Sequence, residues 1–298
     1  MNTAIWLVRR EFWENRAIWL IPAVFGGLLI LASLFGGYHV IGAEDLTTVR
    51  TVVQAGALDG MIMIAVTFFV VMAIYSTWYL LDCLYADRKD RSILFWKSMP
   101  ISDTATVIAK LGTALILVPL VYFAFADVTT LLMAFIISVR ASASIGSSLW
   151  RIDTWLQIQT LWLYLIATTA IWYLPVAGWL LAVSAWAKRA VILWSILPPL
   201  ALALAERVFL GTHVIAGYLA ARIGLAGYFS HALQYTPGAA NWVKTEIGHD
   251  ASIETPVSLY RFLNVGGFFS SPETWIGAAI GVALIVCAIQ LRTRRTEI

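Results

Sequence analysis

LDGMIMIAVTFFVVMAIYSTWYLL, residues Leu58–Leu81, carries one charge near its start and stops against Asp82. An α-helix needs ~20 apolar residues to cross the ~30 Å hydrocarbon core of a bilayer. In lipid every backbone N–H and C=O has to be satisfied within its own segment, so an apolar run this long reads as a transmembrane helix. Five further stretches have the same character: Ile18–Ile41, Val107–Val139, Trp155–Trp186, Val191–Leu210 and Trp275–Leu291. The whole chain is 60% hydrophobic and only 12% charged, against about 25% charge in soluble domains. The expected fold class is therefore an all-α polytopic membrane protein with six transmembrane helices, and function has to be argued as membrane function.

Charge sets the orientation. With an even number of crossings, both termini lie on one side, and that side collects thirteen of the 20 lysines and arginines, among them Arg9, Arg10, Arg16, Arg88, Lys89, Arg91, Lys97, Lys110, Lys188, Arg189 and Arg292. The opposite side keeps seven. Cytoplasmic loops carry the excess of positive charge, so the expectation is N-in and C-in. The surplus is a topology signal, with no nucleic-acid motif in it. No cleavable signal peptide is expected, because the first apolar run follows a polar segment and no small-residue cleavage site closes it.

Residues 1–17 read as an amphipathic helix lying on the cytoplasmic membrane surface. Ile5, Val8 and Phe12 share one face with Trp6 and Trp13 beside them, while Arg10, Glu11 and Glu14 take the other. Arg9 and Arg16 fall within the apolar arc, where they would snorkel to head groups or meet a partner protein. Gly42–Ala57 reads as a short external loop. The densest polar stretch follows the second span: YADRKDRSILFWKSMPISD, Tyr85–Asp103. Asp87, Arg88, Lys89, Asp90 and Arg91 alternate in sign ahead of Ser92 and the block Ile93–Trp96. Pro100 stops any helix before it, and Ser102 or Asp103 can cap the next one. A short amphipathic cytoplasmic helix fits this stretch, either as a docking surface or as a plain surface helix that obeys the charge rule.

The third and fourth stretches are longer than one crossing needs. Val107–Val139 would tilt, kink at Pro119, or begin in the cytoplasm around Lys110; Trp155–Trp186 contains Pro175. Residues 211–273 form the largest non-spanning piece and read as short interfacial or re-entrant helices on the outer face, with Trp242, Tyr260, Phe262, Phe268 and Phe269 at head-group depth.

Signatures of soluble catalysis are missing. The chain has no phosphate-binding G-x-x-x-x-G-K-[ST] loop, no H-E-x-x-H, no G-x-S-x-G and no S-x-x-K, so it cannot hold ATP by the first route. His39, His213, His231 and His249 lack metal-ligand spacing, and no metal site is expected. Cys83 and Cys287 fall near cytoplasmic ends of spans, where a disulfide is not expected. Within the spans Asp127 is the clearest suspect, since a carboxylate in lipid is costly. It would line a polar pathway or pair with a cation such as Arg140 or Arg207.

Six spans, a surface helix before the first, a charged loop between the second and third, and an external segment between the fifth and sixth together resemble the bacterial type-two ABC transporter permeases. RREFWENR at Arg9–Arg16 and DRKDRSILFWKSMPISD at Asp87–Asp103 carry the likeness. The resemblance covers essentially the whole chain, a single permease domain over 1–298. It implies an elbow role for Arg9, Arg10, Phe12, Trp13 and Arg16. It implies a coupling segment over 83–104, in which Asp87, Arg88, Lys89, Asp90, Arg91, Ser92, Phe95, Trp96 and Lys97 dock on a separate ABC ATP-binding subunit. That subunit would bind the ATP and Mg, this chain binding no cofactor itself. A second permease chain, identical or homologous, and membrane lipid complete the partners, in a bacterial cytoplasmic (inner) membrane. The expected function is export of lipophilic or peptide-like cargo. The alternative is a non-transporting ABC-linked module for sensing, assembly or membrane extraction; an intramembrane enzyme is a third class.

Overall fold

The computed structural model describes residues 3–35, 46–90, 101–140, 149–233 and 259–294. Among the described residues the fold is all-α, with one isolated antiparallel bridge between Leu233 and Leu263. The helices are α1 (Thr3–Glu14), α2 (Ala17–Phe35), α3 (Leu46–Lys89), α4 (Asp103–Gly112), α5 (Val118–Arg140), α6 (Ile152–Trp172), α7 (Leu174–Trp186), α8 (Val191–Leu210), α9 (Val214–Ile223), α10 (Leu225–Ala232), α11 (Val265–Ser270) and α12 (Pro272–Arg294). Five of them, or continuous pairs of them, are long and apolar enough to cross a membrane: α2, the Gly60–Lys89 part of α3, the run Asp103–Arg140, α8 and α12. The pair α6–α7 supplies a sixth only if taken as one span, because it bends by 54°. The chain is a multi-pass helical membrane protein.

Local chemistry explains the departures from the simple six-rod picture. Pro175 has no N–H for the helix ladder and lies two residues beyond the break at Tyr173, so α6 and α7 meet at an angle. The third stretch does not kink at Pro119. Thr113–Leu117 widens into a π-turn just before it, and α4, this turn and α5 run on as one long helix. That helix starts well before Lys110, at Asp103, with the Ser102 hydroxyl accepting the Ala105 amide at 3.1 Å. Nor is Gly42–Ala57 wholly a loop: α3 begins at Leu46. Cys83–Lys89 likewise belongs to α3, and Asp103 and Thr104 open α4.

Small residues let helices touch. A Cβ placed on Gly178 of α7 would stand 2.7 Å from the Gly281 carbonyl of α12, and one on Gly281 would stand 2.6 Å from the Leu174 carbonyl carbon. Ala177, Ala182, Ala185 and Ala288 are buried in the same region. Without a hydrophobic drive between helices in lipid, such close backbone packing is what holds them. Where α10 and α11 pack on α3 and α6, an aromatic cluster takes over. Phe69 stacks on Tyr228, Trp172 lies against Phe268, and the Tyr164 hydroxyl donates to the Ala232 carbonyl at 2.7 Å. Phe268 is thus fully buried within the protein, whereas Tyr260 and Phe269 are exposed. Trp242 lies outside the described residues.

Candidate functional site

The end of the bundle that the charge pattern assigns to the cytoplasm is built around buried ions. Four helices bring them together: α1 contributes Arg10 and Glu11, with the exposed Glu14 at the edge, α3 contributes Tyr79 and Asp87, α4 contributes Asp103 and Lys110, and α12 contributes Arg292. Glu11 is 1% exposed. One of its oxygens takes Arg10 at 2.6 Å and Lys110 at 3.1 Å. The other accepts the Tyr79 hydroxyl at 2.6 Å and the Asn15 amide at 3.2 Å. Lys110 reaches on to Asp87 at 3.4 Å. Arg292, 2% exposed, then holds Asp87 at 3.0 Å and Asp103 at 3.1 Å. Arg10 also meets Glu14 at 3.1 Å.

Burial opposes the charge on Glu11, but the Lys110 ammonium, the Tyr79 hydroxyl and the Arg10 guanidinium outweigh it and hold the carboxyl below the usual carboxylate range. Among the described residues the lattice is close to neutral in total, three cations against four carboxylates. Removing one member of such a group leaves an uncompensated buried charge, which costs about 3–5 kcal/mol.

Several residues singled out from sequence join this lattice or lie beside it. Asp87 and Arg88, placed by sequence in a coupling segment, face inward. Arg88 is buried and donates to the carbonyls of Ser184 and Ala187, each at 2.7 Å, which ties the end of α3 to the turn between α7 and α8. Lys89 and Asp90 are exposed. Arg91, Ser92, Phe95, Trp96 and Lys97 lie outside the described residues. On α1 the sequence-based face assignment changes. Leu7 and Glu11 are buried, Arg10 and Phe12 are half-buried, and Arg9, Trp13 and Arg16 are exposed, with the Arg9 guanidinium 5.2 Å from the Trp6 ring centre. The inward side of this helix therefore carries an acid, which an apolar-moment reading puts outside.

Asp127 meets neither suggested cation. It accepts a hydrogen bond from the Gln159 amide at 2.7 Å, and Arg140 instead donates to the carbonyls of Ser33 and Leu34 at the end of α2. The sequence also missed Arg222. This buried side chain lies 3.8 Å over the Trp172 ring, donates to the carbonyls of Trp172 and Glu273, and fills the space that Gly277 leaves open on α12. Lys110, which the sequence reading counts only as a cytoplasmic cation, is an ammonium set in the apolar run VIAKLG, a signal for a buried ion.

The chain matches no protein-family model, no curated protein and no solved structure. The residues themselves must carry the functional reading.

Proposed function

We propose that this chain is the membrane-spanning subunit of an ATP-driven ABC transporter, a permease that exports lipophilic or peptide-like cargo across a bacterial cytoplasmic membrane. A separate ATP-binding subunit holds ATP and Mg, and two permease chains make the working unit. The observation that supports this most is the clasp at the base of the bundle. Residues 91–100 run between Asp87 at the end of α3 and Asp103 at the start of α4, and Arg292 of the last span grips both. Lys110 and Glu11 extend the grip to α1. A force applied to the segment 91–100 is thereby delivered to three spans and the surface helix together. A transport cycle needs such a connection, because an energised partner shifts the helices only through contacts that differ between two states.

Asp87 and Arg88 act in this reading as the foundation of the docking segment. The docking contacts themselves fall to Lys89, Asp90, Arg91, Phe95, Trp96 and Lys97. The test is recovery of the ATP-binding subunit with Arg91→Glu, Phe95→Ala or Trp96→Ala at equal membrane expression. Truncating an aromatic anchor at an interface commonly costs ~2 kcal/mol or more, so each variant inserts normally and loses the ATPase or its cargo-stimulated activity. Full recovery with coupled activity in all three removes the reading. ATPase recovery without any cargo stimulation favours the non-transporting module.

A further inference from the structure

Between α3 and α8 lies a groove of about 690 Å³, walled almost entirely by hydrocarbon. Its α8 side is apolar, with Leu193, Ile196 and Leu197. Its α3 side is different. Trp78, Asp82 and Tyr85 line it, spaced four and three residues apart and hence on one helix face. Asp82 is exposed, and among the described residues it makes no hydrogen bond or ion pair. It stands seven residues before the end of α3, or ~10 Å inside that end. Arg88 and Ser184 pin the base of the groove. Arg88 binds the carbonyls of Ser184 and Ala187, and the Ser184 hydroxyl accepts the amides of Leu84 and Tyr85 at 3.1 and 3.0 Å.

We propose that this groove binds a cationic amphiphile, a single hydrocarbon tail with an ammonium head, the tail lying along α8 and the head against Asp82. The exposed Asp82 carboxylate has no counter-charge among the described residues, and an ammonium is the complement that supplies one. Trp78 and Tyr85, one turn to either side, add the aromatic faces that favour a bound ammonium. A bilayer phospholipid fits less well, since any ammonium it carries sits beside a phosphate that Asp82 repels. The inference rests on the transport reading only in making this molecule cargo; the binding itself stands apart from it.

The experiment uses the full chain in maltoside micelles and a photoreactive alkyltrimethylammonium, with the alcohol and the sulfate of the same chain length as comparators. The ammonium probe labels the α3 and α8 walls. Asp82→Asn lowers that labelling about tenfold, Asp82→Glu restores it, and neither changes alcohol labelling. Leu197→Trp fills the trough and lowers both. Thermal unfolding of Asp82→Asn matches the parent, because its side chain has no partner to lose. Equal labelling by ammonium, alcohol and sulfate overturns the proposal, as does indifference to Asp82→Asn. Competition by phosphatidylethanolamine as strong as by the alkylammonium makes the occupant a bilayer lipid and also overturns it. So does an Ile196→Cys chain that crosslinks to a second copy and takes up no probe. No ATPase is present in this assay, so its failure leaves the test by ATPase recovery untouched.

Discussion

The Arg292 guanidinium holds Asp87 with one nitrogen at 3.0 Å and Asp103 with another at 3.1 Å, so the last helix of the chain locks together the two ends of the segment 91–100. The same Asp87 faces Lys110, and Lys110 faces Glu11. Ions spread over the whole length of the sequence thus form one buried unit.

Arg292→Gln leaves Asp87 short of a cation and should destabilise the chain by about 3–5 kcal/mol. Arg294, two residues on and exposed, serves as the control; its change to Gln should stay within about 0.5 kcal/mol. Thermal unfolding of the two purified variants decides the matter. Equal behaviour would mean that the clasp contributes nothing to the fold.

The Glu11 carboxyl gives the lattice a pH dependence of known sign. Its pKa in the fold lies below the ordinary value of 4.5. The stability it contributes is complete above the unfolded pKa and is lost as pH falls through the lower, folded value. Acid unfolding of the parent should therefore be steeper below pH 4.5 than that of Glu11→Gln, which lacks the titrating group. Superimposable acid profiles would show that Glu11 is not held ionised by Lys110, Tyr79 and Arg10.

Packing between α7 and α12 predicts opposite outcomes for two glycines. Gly178→Ala drives a methyl group to 2.7 Å from the Gly281 carbonyl and should cost about 1–3 kcal/mol. Gly217 in α9 has open space around it, so Gly217→Ala should be neutral or stabilise by up to ~1 kcal/mol. Unfolding midpoints measured side by side test both.

Asp127→Asn should be mild, within about 1 kcal/mol, because the amide oxygen of asparagine still accepts from Gln159 and no buried cation loses its partner. A loss above 3 kcal/mol in thermal unfolding would require a counter-charge that the geometry lacks.

Orientation is open to reporter fusions. Fusions after Lys97 and after Ile298 should report cytoplasm, and fusions within Gly211–Pro272 the outer side. An inner signal from Gly211–Pro272 would overturn the N-in, C-in arrangement.

Much of this protein is local and can be read without a structure. Hydropathy and length alone select helices that cross a bilayer, because lipid leaves the backbone no alternative. Ser102 caps α4 because its neighbours along the chain make it a helix start. Pro175 announces a disturbance at its own position. These are properties of windows of a few to twenty residues. The form of a disturbance is less legible: Pro119 was as good a kink site as Pro175, yet a π-turn absorbs it, and only the neighbours of each helix determine which outcome is tolerated.

The sequence by itself determined a multi-pass helical chain with its cations gathered toward one side. The tertiary structure alone decided where each of those charges is used. Arg88 and Arg292 both count as cytoplasmic cations, but one is bound to carbonyls of the α7–α8 turn and the other clasps two aspartates. Glu11 looks like a surface acid on an amphipathic helix and is instead among the most buried side chains of the described residues. The reason is physical. The cost of placing a charge depends on which opposite charge the fold carries to it, and Glu11, Asp87, Lys110 and Arg292 come from parts of the sequence that no local pattern connects.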